Sequence, residues 1–162
     1  MKKLLPKSIQ NPKGFTLVEL LVVISIIAIL SIIGITLFTS AQKNARDGRR
    51  RADIESIAAA LESSHVPNST TYPALAATMF ASGAIPTDSG NGSATYCVAS
   101  STTAGALAPA VPTTWTNAAA CPTAPAGYVT VGAAVPAATA TAWTVCALFE
   151  GSATWFCKPS SQ

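Results

Sequence analysis

Hydrophobic residues are unevenly distributed along the chain, and the longest apolar run lies close to the N-terminus. The nineteen positions from Leu20 to Phe38 contain no charged residue. As an α-helix this run would extend for roughly 28 Å, which nearly matches the hydrocarbon core of a bilayer. The pattern therefore predicts that residues 15–38 form a membrane-spanning helix.

The helical pattern continues beyond the apolar run. No proline occurs between Pro12 and Pro67, so a helix that begins near Phe15 can extend to about Ser64. In its second half, four apolar residues recur at the i, i+3, i+4 and i+7 spacing of a buried stripe. These are Ile54, Ile57, Ala58 and Leu61. We predict an amphipathic half-helix at residues 39–65 that packs against the C-terminal region.

The C-terminal region, residues 66–162, has a different composition. Most of it is dominated by Ala, Thr, Ser, Pro and Gly, with short β-prone islands at residues 94–99 and 127–131. Such a composition predicts surface loops around thin strands. For the whole chain we expect an α+β fold, in which a long N-terminal helix packs on a small antiparallel β-sheet.

A β-hairpin is predicted near the C-terminus. Two β-prone runs flank the Gly-Ser pair at residues 151–152, which is typical of a two-residue type II′ turn. In that register the numbers of facing residues sum to 303, so Cys146 faces Cys157 within disulfide range. Four cysteines allow three connectivities. The hairpin favours the Cys146–Cys157 bond, and Cys97–Cys121 is then the second one.

The same register places five apolar side chains on one face of the sheet. They are Trp143, Val145, Ala147, Phe149 and Phe156. We expect this face to pack against the apolar stripe of the helix. The cysteine spacings include no C-x-x-C, so neither a zinc site nor a thioredoxin-like redox site is predicted. Structural disulfides are the default outside the cytosol.

The charge distribution argues against nucleic acid as the primary partner. The chain has 10 basic and 7 acidic residues and a formal net charge of +3. Residues 15–162 retain six of the basic residues and all seven acidic ones, because four lysines precede the apolar run. These are Lys2, Lys3, Lys7 and Lys13. Without that leader, no basic field remains to attract a polyanion.

A lone carboxylate, Glu19, interrupts the start of the apolar run. An acidic residue at mid-membrane depth costs about 2.5–3.5 kcal/mol on insertion scales, so it usually has a cationic partner or a function. The sequence Gly14-Phe15-Thr16-Leu17-Val18-Glu19-Leu20 resembles the class III signal of type IV prepilins. The resemblance covers this motif and the helix behind it, and the globular part carries no comparable signature.

This resemblance implies a processed filament subunit. A dedicated membrane peptidase would cut after Gly14 and remove the leader, residues 1–14, and Phe15 would become the N-methylated first residue. Glu19 would then meet the Phe15 amine of an adjacent subunit, pairing two charges that are each costly in an apolar medium. Many pilins have proline where this chain has Thr36, which puts local unwinding of the helix in doubt.

The resemblance also implies partners and a location. The partners are identical or homologous pilin subunits, prepilin peptidase, inner-membrane assembly machinery and, before assembly, membrane lipid. The subunit would be stored in the cytoplasmic membrane with its C-terminus outside, then move into a surface or periplasmic filament. The filament is expected to be a type IV pilus, and the alternative is a pseudopilus of type II secretion or DNA uptake.

Two alternatives from other classes use the same apolar run. The run could be a secretory signal peptide cut near Ala41, but it exceeds the ~7–15 residues of such a segment. The uncut helix could instead tether an extracytoplasmic ligand-binding module. The mature N-terminus discriminates among them, because a filament subunit begins at Phe15, a tethered module at Met1 and a secreted protein near Gln42.

The remaining polar residues suggest no chemistry. No nucleophile elbow, metal-ligand cluster or phosphate loop is found, so we predict a non-enzyme without cofactor or metal. His65 is expected to cap the helix end or to be exposed, and residues 88–93 to form a plain turn rather than a calcium loop. Two N-x-[ST] sequences, at Asn68 and Asn91, are weak signals for glycosylation.

Three consecutive arginines form a basic stretch in the second half of the helix. They are Arg49, Arg50 and Arg51. Two of them have acidic residues four positions away, in the pairs Asp47–Arg51, Arg49–Asp53 and Arg51–Glu55. Such i, i+4 pairs partly cancel the charge of an exposed helix. We therefore expect a solvated, self-paired face, with subunit, phospholipid or DNA contacts as alternatives.

Overall fold

The computed structural model describes residues 14–66, 69–88, 96–112, 120–122, 127–132, 136, 138–152 and 154–161. The leader up to residue 13, both glycosylation asparagines and residues 89–93 of the expected turn lie outside the described part of the chain. The chain divides into two compact units, Met1–Thr39 and Ser40–Gln162.

One long helix, α1, extends over Leu17–Ser63. It begins two residues after the predicted start, because Phe15 and Thr16 precede the first helical turn. Near its C-terminal end the predicted stripe is confirmed: Ile54, Ile57 and Leu61 are fully buried, and Ala58 nearly so. The apolar spacing alone was therefore enough to find the face that packs on the rest of the unit.

A four-stranded antiparallel sheet forms the other part of the fold. Its strands are β1, Cys97–Ser101; β2, Val129–Thr130; β3, Ala142–Leu148; and β4, Trp155–Pro159. Their order in the sheet is β2-β1-β3-β4. The two β-prone islands became β1 and β2, with β1 displaced toward the C-terminus from its predicted bounds. The predicted α+β fold is confirmed.

The core lies between the helix stripe and one face of the sheet. Trp143, Val145 and Ala147 of β3 belong to the same buried cluster as the stripe, and Phe156 of β4 packs against it. Phe149, which was assigned to that face, is only half-buried. It lies beyond the end of β3 and stacks on Phe156, with the ring centroids 5.6 Å apart.

The hairpin register is confirmed, but the turn type is not. Cys146 faces Cys157 across β3 and β4, as the sum of 303 requires. A type II′ turn needs a positive φ at Gly151, and its φ lies outside that region. The backbone N–H groups of Glu150 and Gly151 both donate to the Asp47 carboxylate, at 2.8 Å each. Contact with the helix therefore shapes this turn.

Two glycines of this region should respond oppositely to replacement by alanine. A Cβ at Gly151 would lie 3.0 Å from Asp47 Oδ2 and 3.2 Å from Asn44 Oδ1. We expect Gly151→Ala to lower the free energy of unfolding by about 1–2 kcal/mol through crowding. Gly48 has open space around it in α1, so Gly48→Ala should raise that free energy by about 1 kcal/mol.

Chemical denaturation of the full chain in detergent micelles, followed by tryptophan fluorescence, measures both changes. Equal signs for the two variants would contradict the close approach between Asp47 and the turn.

Candidate processing and assembly site

The N-terminal end of α1 is held by a reciprocal cap. Thr16 donates to Glu19 Oε2 from both its backbone N–H and its hydroxyl, at 2.8 Å each. The Glu19 N–H donates back to Thr16 Oγ1 at 3.2 Å. This is a capping box, in which a Thr and a Glu three residues later satisfy donors at the helix start. The Glu19 carboxylate thus has hydrogen-bond partners within its own chain.

The residues next to this cap are accessible. Gly14 is exposed, and Phe15 retains 90% of its accessible surface. Both precede the first helical residue, so their peptide bond is not part of the helical hydrogen-bond ladder. Exposed backbone outside regular structure is the kind of segment that proteases cut preferentially.

The first half of α1 presents apolar side chains on every side. Its large apolar residues from Leu17 to Phe38 are between 47% and 79% exposed, the limits being Val22 and Leu17. Among the described residues, α1 is the one helix long and apolar enough to cross a membrane. An apolar surface of this extent needs a covering of lipid or protein.

The hydroxyl groups within this half do not disturb its apolar character. Ser25, Ser31, Thr36 and Thr39 each donate to a carbonyl oxygen three or four residues earlier in the helix, at 2.6–2.9 Å. Hydrogen bonds of this type let Ser and Thr enter an apolar medium with their donors satisfied. The helix therefore continues without a break through Thr36, the position at which many pilins have proline.

A family model described as the prokaryotic N-terminal methylation motif matches residues 9–35. This is the type IV pilin and pseudopilin signature. The matched segment supports a pilin-like or pseudopilin-like substrate of prepilin peptidase. Among curated proteins and among solved structures, none matches the chain.

Behind the pilin motif, a buried arginine connects the helix to the sheet. Arg50 is 1% exposed and forms ion pairs with three carboxylates. It donates to Asp47 at 2.9 Å, to Asp88 at 2.8 Å and to Glu150 of the hairpin turn. A buried guanidinium needs such partners to offset its desolvation. Arg50 thus joins α1 to two segments that are distant in sequence.

The expected self-paired arginine face is corrected in part: Arg49 and Arg51 are exposed as predicted, but Arg50 is buried and the described ion pairs are not the i, i+4 ones. Asp47 pairs with Arg50 rather than with Arg51, and Asp53 accepts a hydrogen bond from Tyr96 at 2.5 Å. Arg51 lies over the rings of Phe149 and Phe156, 5.7 and 4.8 Å from their centroids. Contacts with the hairpin and with Tyr96 therefore take the place of the local i, i+4 pairs.

Glu150 binds two arginines of the cluster. Its carboxylate accepts from Arg46 at 2.6 Å as well as from Arg50. The hydrogen bond from Arg46, opposed by burial and reinforced by Arg50, lowers the pKa of Glu150 to about 2. The turn therefore remains anionic, and bound to the helix, at any physiological pH.

The four cysteines form two bonds on the sheet face opposite the main core. Cys97 is joined to Cys121, and Cys146 to Cys157, with Cα separations of 5.6 and 4.1 Å. Cys97 also faces Cys146 across β1 and β3. Three cysteines therefore lie in one row across three neighbouring strands, where they pack with Ala99 and Tyr128.

The other residues that the sequence singled out, His65 and Asp88, contact neighbouring side chains of the same domain. The ring of His65 lies 4.7 Å from that of Tyr72, just beyond the end of α1. Asp88, the acidic residue of the expected turn, forms an ion pair with Arg50. Among the described residues, no group of three His, Cys, Asp or Glu side chains is placed to hold a metal ion.

Two functional contacts were missed in the sequence, although each left a signal there. The spacing of Thr16 and Glu19 is that of a capping box. Arg50 lies four residues before Ile54 and seven before Ile57, so the helical period already placed it on the buried face. The identity of its distant partners had no comparable signal.

Proposed function

We propose that this protein is the precursor of a type IV pilus-like filament subunit. Prepilin peptidase cuts after Gly14, Phe15 becomes the N-methylated first residue, and residues 15–38 first span the membrane and then pack in the filament core. The helix at residues 39–65 and the sheet domain at residues 66–162 form the extracytoplasmic part. The subunit therefore acts by polymerising and not by catalysis.

One observation carries the proposal: the methylation motif runs directly into a helix whose apolar side chains are exposed all round. A monomeric soluble protein rarely exposes such a surface. Membrane lipid covers it before assembly, and the same helices of other subunits cover it afterwards. A helix that is apolar on every side suits both surroundings, since neither requires a polar face.

Glu19 has a role in each of these surroundings. In the separate subunit its carboxylate caps the helix through Thr16. In the filament it pairs with the terminal ammonium of Phe15 from an adjacent subunit, where exclusion of water strengthens the attraction. The cap keeps the carboxylate at the helix end until that ammonium arrives.

The filament is assigned to a pilus that extends from the cell, and the alternative is a short pseudopilus that stays within the envelope. Immuno-electron microscopy of cells that express the protein with its own assembly machinery distinguishes these two outcomes. Adhesion, motility, DNA uptake and secretion are activities of such filaments. They depend on the assembly machine and on exposed loops.

Mass spectrometry of the mature chain tests the proposal. We expect an N-terminus at Phe15 that carries one additional methyl group. Gly14→Leu should block cleavage, because a bulky side chain replaces hydrogen at the cut residue, and full-length precursor should accumulate in the membrane. The matched control is Gly34→Leu inside the apolar run, which should still be cut. A mature chain that begins at Met1 or near Gln42 would refute the proposal.

A further inference from the structure

The acidic residues of the Ser40–Gln162 unit differ in whether their carboxylates have partners within the unit. All but one accept a hydrogen bond or an ion pair within the unit; these are Asp47, Asp53, Glu62, Asp88 and Glu150. The exception is Glu55, which is exposed and has no such contact with the described residues. Glu55 is therefore the carboxylate that remains available to a partner.

Glu55 lies at the edge of a cavity between α1 and β4. The cavity has a volume of about 470 Å³, and its helix side consists of Glu55, Ala58, Ala59 and Glu62. Lys158 and Pro159 of β4 form the opposite side. Ala58 and Ala59, which are small, leave room for a long side chain to lie along α1 with its charged end at Glu55, whereas the Glu62 carboxylate already accepts from Ser161.

A cation without a partner lies on another side of the same helix. Arg49 is exposed, and among the described residues it makes no ion pair or hydrogen bond. It precedes Glu55 by six residues, so the two positions lie about 120° apart around the helix and about 9 Å apart along it. They therefore face different directions and are available to different neighbours.

We propose that Arg49 of one subunit enters the cavity of a second copy and pairs there with Glu55. A contact that joins two different faces of identical subunits is heterologous, and its repetition generates a helical polymer. This inference rests on the proposed filament function, and it adds a polar contact outside the membrane-derived core. Each subunit would donate one arginine and receive one.

The chemistry of the cavity suits an arginine. A guanidinium forms two parallel hydrogen bonds to a carboxylate, and its aliphatic stem covers small apolar residues such as Ala58 and Ala59. Lys158 lines the same cavity, and its positive charge opposes the entry of a second cation. Lys158→Gln should therefore strengthen the contact, whereas loss of a merely structural residue would weaken assembly.

Charge reversal in the full-length protein, expressed with its assembly machinery, tests this contact. Arg49→Glu and Glu55→Arg should each reduce the amount of sheared filament about tenfold or more, since each places two like charges opposite one another in a desolvated contact. The double variant should return filament yield to within about threefold of the unmodified chain, because the pair is restored in reverse.

Two controls make the result specific. Lys43→Glu reverses another exposed cation of α1 and should not rescue Glu55→Arg. Unfolding of the monomer in micelles should be unchanged in all variants, because the positions are exposed. Single variants without effect, or a double variant no better than the singles, would overturn the contact but leave the filament function intact. An unmodified chain that is cut at Gly14 yet never polymerises would refute both.

Discussion

Replacing Arg50 by methionine is expected to lower the free energy of unfolding of the Ser40–Gln162 unit by about 3–5 kcal/mol, because removing one partner of a buried ion pair leaves the other uncompensated. Asp88 and Asp47, which are 6% and 12% exposed, would lose their cation. Glu150 would retain only Arg46. Denaturation of the full chain in micelles, followed by tryptophan fluorescence, measures this loss.

The matched control is Arg49→Met, one position away on the exposed side of α1. It should change the free energy of unfolding by no more than about 0.5 kcal/mol. Adding Asp88→Asn to Arg50→Met should recover part of the loss, because the stranded carboxylate is then neutral. A loss below about 1 kcal/mol for Arg50→Met would show that the cluster is solvated and does not hold the helix to the hairpin.

Replacing Glu19 by glutamine is expected to reduce filament yield about tenfold or more while cleavage after Gly14 continues. Glutamine retains the capping box, since its amide oxygen also accepts from Thr16. It lacks the negative charge that pairs with the Phe15 ammonium, and the loss of one partner of a buried charge pair typically costs ~2–5 kcal/mol. Quantitative blotting of sheared filaments against membrane-bound subunit measures the yield.

Thr16→Val is the complementary control. It removes the hydroxyl of the cap but leaves the Glu19 charge, so we expect a loss of about 1 kcal/mol in helix stability and near-normal filament yield. The opposite ranking, with Thr16→Val defective and Glu19→Gln normal, would mean that Glu19 serves only as a helix cap. The ammonium pair would then have to be abandoned.

The part of the fold that is governed by periodic spacing could be predicted from the sequence. The stripe from Ile54 to Leu61 and the hairpin register both follow from local rules, namely the helical repeat and the alternation of strands. The register depends only on the centre of the turn, so it held even though Gly151 does not adopt the φ of a type II′ turn.

Contacts between distant segments could not be predicted in the same way. Arg50 was predicted to belong to a solvated face, but it is buried, and its partners Asp88 and Glu150 are 38 and 100 residues away. No spacing rule connects such positions, and their meeting depends on how the hairpin docks on α1. At the N-terminus the reverse is true, because the motif around Glu19 is local and so is its capping box.

The Cys146–Cys157 bond closes a covalent ring around the hairpin turn, and the exposed residues Glu150 to Ser152 lie inside that ring. Exposed turns are preferred sites of proteolytic nicking. A protease that cuts this turn outside the cell would leave both strands attached through sulfur. The clipped polypeptide would keep β4 in its sheet and would separate into two fragments only after a reducing agent is added.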